Sequence, residues 1–87
     1  MDTVHQQNAQ HVMDLNKEIE NLTHTIHYLS SAIRDIQYAR GYMRLTNANP
    51  FLTELENLLC KVIKYEADLA ISAITINRER DEAARKI

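Results

Sequence analysis

Hydrophobic residues in the first half of the chain fall at Val12, Leu15, Ile19, Leu22, Ile26, Leu29, Ile33 and Ile36, in alternating steps of three and four. The chain is 45% hydrophobic, so chance would fill all eight positions roughly twice in a thousand trials, and the period predicts a helix. With Val12 at heptad position a, β-branched residues occupy four successive a sites, and the d sites hold Leu, Leu, Leu and Ile. Such a seam is that of a coiled coil, and these residues favour two strands where the partners run parallel. Arg40 and Met43 come next in the pattern, so the seam weakens there. Thr25, Ala32 and Ala39 sit at g positions, and Thr23, Ser30 and Gln37 at e positions. Two-stranded coils normally carry charges at these sites. Small, uncharged flanks let further helices approach, which points to a bundle.

Thr3 and Gln6 fit a capping box, placing the start of the first helix near Asp2 or Thr3. The first ten residues are polar and prone to fray. Gly41 leaves two endings open. As a C′ residue it stops the helix there; alternatively it is tolerated, at a cost of about 1 kcal/mol, and the helix runs on to about Leu45. Thr46, Asn47, Ala48, Asn49 and Pro50 form the one turn-like cluster, with Asn49 suited to an N-cap and Pro50 to the first helical position. The predicted organisation is a single domain over 1–87, with helix 1 over about 3–45, a turn at 46–49 and helix 2 over about 50–86. So short a connection between long helices predicts an antiparallel helical hairpin.

The second helix carries two stripes. Leu52, Leu55, Leu59, Val62, Glu66, Leu69, Ala73 and Ile76 form the first, apolar at seven of eight positions. Cys60, Ile63, Ala67, Ala70 and Ile74 form the second, rotated by about 100°. Helix 1 has no such second stripe. A helix apolar over so wide an arc is buried on more than one side, and one partner helix cannot cover both. The predicted fold class is therefore all-α: two long antiparallel helices forming a coiled-coil-like hairpin that dimerises into a four-helix bundle. Cys60, Ile63, Ala67, Ala70 and Ile74 are the expected oligomer interface. The segment Leu69 to Ile76 is isoleucine-rich enough to pass for a strand, but an unbroken pattern without turn signals favours helix. Beyond Asn77 the chain is highly charged, with Asp81–Arg85 and Glu82–Lys86 as acid-first i,i+4 pairs. That stretch is either a solvated helical end or a fraying tail.

Composition excludes other classes. The 87 residues include one Gly and one Pro, where average usage gives roughly ten such residues. Turn-rich sandwiches and barrels, collagen-like chains and flexible linkers do not fit. So short a chain buries only about 60% of the surface its unfolded form exposes, and domains of this size often rely on disulfides, a metal or oligomerisation. A lone Cys60 makes no intrachain disulfide, which sets aside the disulfide-stapled secreted class. The first residues lack the basic start and apolar run of a signal peptide. The longest apolar stretch, 67–76, is interrupted by Asp68, Ser72 and Thr75 and falls short of the ~20 residues of a membrane span. The expectation is a soluble, cytoplasmic protein with no membrane partner.

Candidate chemistry is sparse. Glu20, His24 and His27 share one face of helix 1, which permits a surface metal site or a pH-sensitive contact. They fall at outward heptad positions, however, and no further Cys/His motif completes a four-ligand zinc site, so solvent-exposed histidines are the preferred reading. Cys60 reads as a small buried hydrophobe without an activating base. No glycine-rich phosphate loop, inward carboxylate pair or Glu-x-x-His motif is present. No catalytic residue, metal or cofactor is assigned, and the chain is not expected to be an enzyme. The formal charge of −2 becomes +2 when the four histidines are protonated, and neither value suggests a nucleic-acid binder.

Arg34, Tyr38, Arg40, Tyr42 and Arg44 cluster near the expected hairpin tip, with Asp35 the one acid among them. Arg and Tyr dominate interaction hot spots because each joins a large contact area to directional polar groups. The cluster is the expected partner-binding patch for an unidentified protein. Ordinary solvated surface is the plain alternative, and stacking on single-stranded nucleic acid is the least favoured. Arg40, continuing the a positions, can instead snorkel from the end of the core. The resulting expectation is a small regulator, adaptor or inhibitor acting as a homodimer. One alternative is an assembly or secretion chaperone, or subunit, whose helix 2 face a partner covers. A second alternative is a nucleic-acid-binding regulator using the Arg/Tyr tip.

Overall fold

The three–four repeat winds into one unbroken helix. The structure, a computed structural model, describes residues 3–46 and 49–87. Helix α1 spans Thr3–Met43, a 3₁₀ turn spans Asn49–Phe51, and α2 spans Leu52–Ala84. Asp2, named as a helix start, and Asn47 and Ala48 of the turn cluster lie outside the described residues. The two helices pack side by side into a rod of 70 × 14 × 13 Å, and no strand occurs among the described residues. Leu69 to Ile76 lies within α2.

Gly41 does not end α1. It keeps a helical backbone, no glycine having positive φ, and the helix unwinds after Met43 through i→i+3 turns. The Leu45 amide donates to the Tyr42 carbonyl at 3.0 Å and the Thr46 amide to the Met43 carbonyl at 3.1 Å. The Thr46 hydroxyl donates to the same Met43 oxygen at 3.0 Å. Carbonyls left over at the helix end thereby find partners without a left-handed residue. On the far side of the turn the chain re-enters helix as 3₁₀, and regular α-helix begins at Leu52 behind Phe51, which offers no capping side chain. Asn49 thus opens the 3₁₀ turn instead of directly preceding the α-helix.

Cross-helix contacts give direction and register. Arg80 Nη1 donates to Asn16 Oδ1 at 3.3 Å, and Ser30 Oγ donates to Glu66 Oε2 at 3.0 Å. Fourteen residues forward in α1, from Asn16 to Ser30, correspond to fourteen back in α2, from Arg80 to Glu66. The helices are therefore antiparallel and hold one register across two heptads. Near the turn, Arg44 Nη2 reaches Glu56 Oε1 at 3.3 Å.

The α1 repeat and the first stripe of α2 occupy the less exposed positions of each helix. Even so, only Leu15, Leu59 and Ala83 are buried among the described residues. Val12, Ile19, Leu22, Ile26, Leu29, Ile33 and Ile36 are half-buried, as are Leu52, Leu55, Val62, Leu69 and Ile76. Two cylinders touch along a line, so each seam side chain has apolar neighbours on one side and water on the other. The rod exposes 6673 Å², against about 5,300 Å² for a compact chain of this mass. Polar positions on the seam-facing side of α2 are satisfied locally. Glu66 accepts from Ser30, and Arg80 also reaches Asp81 Oδ1 from Nε at 3.3 Å and Nη2 at 3.2 Å.

Leu59 is the most enclosed side chain in the hairpin. Leu59→Ala should lower the unfolding free energy by about 3 kcal/mol, as for other buried leucines. Urea denaturation followed by far-UV circular dichroism checks this. A loss below about 1 kcal/mol would mean that Leu59 is not central to the core.

Candidate interaction surfaces

Rotation by about 100° carries the second α2 stripe off the contact line with α1. Cys60, Ile63, Ala67 and Ile74 are exposed, and Ala70, nearest the seam, is half-buried. Ile74 is 61% exposed, and neighbouring Ile71, 64% exposed, widens the same face. The reading of Cys60 as a buried small hydrophobe does not hold within a single hairpin, because α1 lies on the other flank. Asp68 and Thr75 lie on the next arc of α2 and bound the face with polar residues.

The opposite flank of α2 carries a strip that sequence reading missed. Phe51, Leu58 and Tyr65 are all exposed, and Phe51 and Leu58 line an open depression with Met43, Leu55 and Glu54. The signal was present: these residues recur every seven positions, which keeps them on one side of a helix.

The tip cluster divides in two. Arg34, Tyr38 and Tyr42 follow one another at four-residue steps and share the outward face of α1. Tyr38 and Tyr42, 65% and 71% exposed, flank an open depression of about 260 Å³ completed by Gln37, Gly41 and Leu45. Arg34 lines the adjoining hollow with Gln37 and Tyr38. Arg40 and Arg44 are elsewhere. Arg40 continues the seam and is half-buried, while Arg44 faces α2 and pairs with Glu56. Both partners of that pair are about half solvated, so its contribution to stability is about 0–1 kcal/mol. The patch of five predicted residues is thus a patch of three beside a hairpin clasp.

Gly41 forms the floor of the Tyr38–Tyr42 depression. A Cβ added there would meet nothing within 4 Å, so no contact inside the hairpin requires glycine.

His24 Nε2 lies 3.8 Å from Glu20 Oε1, with both side chains mostly in water. The His27 and Tyr28 rings meet edge to face at 5.6 Å. No group of three or more His, Cys, Asp and Glu residues there is arranged to hold a metal ion. No helix of the described residues is long and apolar enough to cross a membrane. Comparison with protein-family models, with curated proteins and with solved structures finds no match to this chain.

Gly41→Ala should raise the unfolding free energy by about 1 kcal/mol, since alanine loses less backbone entropy and meets open space. Urea midpoints of the two proteins measure it. A destabilised Gly41→Ala would show that this depression is packed by something beyond the single hairpin.

Proposed function

We propose that the protein is a non-enzymatic protein–protein interaction module, a small regulator, adaptor or inhibitor that acts as a homodimer. Two hairpins join through the outward face of α2 and complete a four-helix bundle. The observation that carries this reading is the exposed apolar face around Ile63 and Ile74 on a chain with three buried residues among those described. Burying apolar surface contributes about 25 cal/mol per Å², so a second layer of helices supplies the enclosure that one pair lacks. The Arg34–Tyr38–Tyr42 face stays free in such a bundle and is the surface offered to a partner protein. An exposed, unpaired Cys60 suits a reducing compartment, which makes the cytoplasm the proposed location.

A second reading draws on the Phe51–Leu58–Tyr65 strip. Apolar surface on both flanks of α2 suits an assembly or secretion chaperone, or a subunit whose faces a larger partner covers. A nucleic-acid-binding role has less support, because Arg40 and Arg44 lie on the α2 side of the tip and leave Arg34 beside the tyrosines.

Ile63→Glu and Ile74→Glu should each convert a dimer to monomers and lower the melting temperature sharply, since a buried unpaired charge is costly. Tyr42→Ala should change stability by no more than about 0.5 kcal/mol and Arg44→Ala by no more than about 1 kcal/mol, and both should leave the dimer intact. Sedimentation equilibrium with thermal melts reads both sets. Wild-type monomers at micromolar concentration, or glutamate variants that remain dimeric at the wild-type melting temperature, would overturn the homodimer reading.

A further inference from the structure

The Phe51–Leu58–Tyr65 strip is one end of a longer groove. Phe51, Leu58, Tyr65, Ser72, Glu79 and Lys86 recur every seven residues along α2, and all six are exposed. At the turn end Phe51 and Leu58 line a hollow with Met43 of α1, and at the open end Glu79 and Lys86 line another with His11. His11 is a g position of α1 and Arg44 an e position, and these flank a seam on opposite sides. The groove therefore runs along the side of the hairpin away from the Arg44–Glu56 clasp. Ile63, one heptad beyond Glu56, belongs to the clasp side, so the groove and the proposed dimer face are separate surfaces. Thr25, Ala32 and Ala39, at the same g positions as His11, keep the α1 wall low beside the large side chains of α2. A low wall beside a high one is a shape into which a further helix packs.

The apolar strip marks the site, and charge selects its occupant. The g and c positions of α1 carry Asp14, Glu18 and Asp35 and no Lys or Arg. On α2, the heptad positions of Phe51 and of Glu54 border the groove. They carry Glu54, Asp68, Glu79 and Glu82 against Lys61 and Lys86. Seven of the twelve acids of the chain but two of its ten Lys and Arg thus stand on this side, with His11 as a further basic group when protonated. The ion pairs among the described residues use Glu20, Glu56 and Asp81, none of the seven.

We propose that this groove binds an amphipathic helix of a partner protein, one whose apolar stripe seats on Phe51, Leu58 and Tyr65 and whose flanks carry lysine or arginine. The proposal rests on the interaction-module reading above and not on the homodimer. A second copy laid face to face here would set seven acids against seven, a like-charge contact that opposes docking. From Phe51 to Tyr65 the strip is about 21 Å long at 1.5 Å per residue, so about four turns of a partner helix cover it. The acids beyond Tyr65 lie off the apolar contact and act at longer range, drawing a basic partner in.

Two synthetic helical peptides of about three heptads test the groove. Both carry leucine at a and d and alanine at the outer positions; one has lysine at e and g, the other glutamate. The full chain is titrated into each labelled peptide by fluorescence anisotropy, and its own mass is followed by sedimentation. The lysine peptide should bind at least about tenfold more tightly than its glutamate twin, with an affinity that falls as salt rises. Leu58→Ser should weaken the lysine peptide by about tenfold, with a thermal melt confirming the fold of this exposed-site variant. Asp35→Lys, Glu54→Lys and Asp68→Lys combined should reverse the preference between the twins. No binding of the lysine peptide at about 1 mM, equal affinity for the twins, an affinity unmoved by Leu58→Ser or a preference that survives the triple variant each overturns the proposal. A fall in oligomer mass on Leu58→Ser overturns it too, by giving the strip to a second copy. The homodimer reading stands or falls separately, on the mass of the wild-type chain without peptide.

Discussion

Two helices lying side by side meet along a line and enclose no volume. The rest of this molecule depends on that constraint. Leu15 and Leu59 are covered because they fall on the line, and Ala83 because a methyl needs little cover. Every other seam residue leans over its neighbour with one side wet, so the hairpin gains less per apolar residue than a globular domain does. Length partly compensates, since each added turn extends the contact, and the result is a 70 Å rod. Apolar residues off the line are left partly or largely to solvent. Ile63, Ile71 and Ile74 are exposed for that geometric reason, and a second layer of helices is the arrangement that would cover them.

An unbroken heptad seam also slides. Shifting α1 by seven residues would match apolar positions nearly as well, because the pattern from Val12 to Ile36 repeats with that period. Polar contacts reduce the degeneracy. Glu66 interrupts the seam-facing stripe of α2 and finds the Ser30 hydroxyl, and Arg80 finds Asn16 two heptads away. Each contact is solvent-exposed and adds little stability. Their effect is selective mainly at Arg80: a slip of seven residues sets Thr23 or Gln37, polar like Ser30, beside Glu66, but in one direction it sets Ala9 in the place of Asn16 beside Arg80. The 3₁₀ turn from Asn49 to Phe51 and the Arg44–Glu56 pair hold the closed end in the same alignment.

The outward surface of α1 near the turn has a different character. Tyr38, Tyr42 and Leu45 stand around a glycine whose missing side chain nothing in the hairpin requires. A helix-interior glycine costs about 1 kcal/mol relative to alanine. The depression it leaves, with Arg34 alongside, joins aromatic area to a positive charge, the combination common at protein interaction hot spots.

Helix content and hairpin topology were legible in the residues because both follow from local rules. An apolar step of three and four is the helical period, and a lone turn-like cluster at Thr46 to Pro50 leaves one place for the chain to reverse. The two α2 stripes were legible for the same reason, being positions on a cylinder of known pitch. The division of the tip cluster was not. Arg34, Tyr38, Arg40, Tyr42 and Arg44 span eleven positions and wrap most of the helix circumference. Which of them face outward depends on where the partner helix lies. Packing likewise decided that α1 runs through Gly41, that Cys60 is exposed in the hairpin and that Phe51, Leu58 and Tyr65 form a third apolar strip. Periodicity determines which residues share a face; only the placement of α2 against α1 decides which faces are covered, because burial belongs to a pair of surfaces.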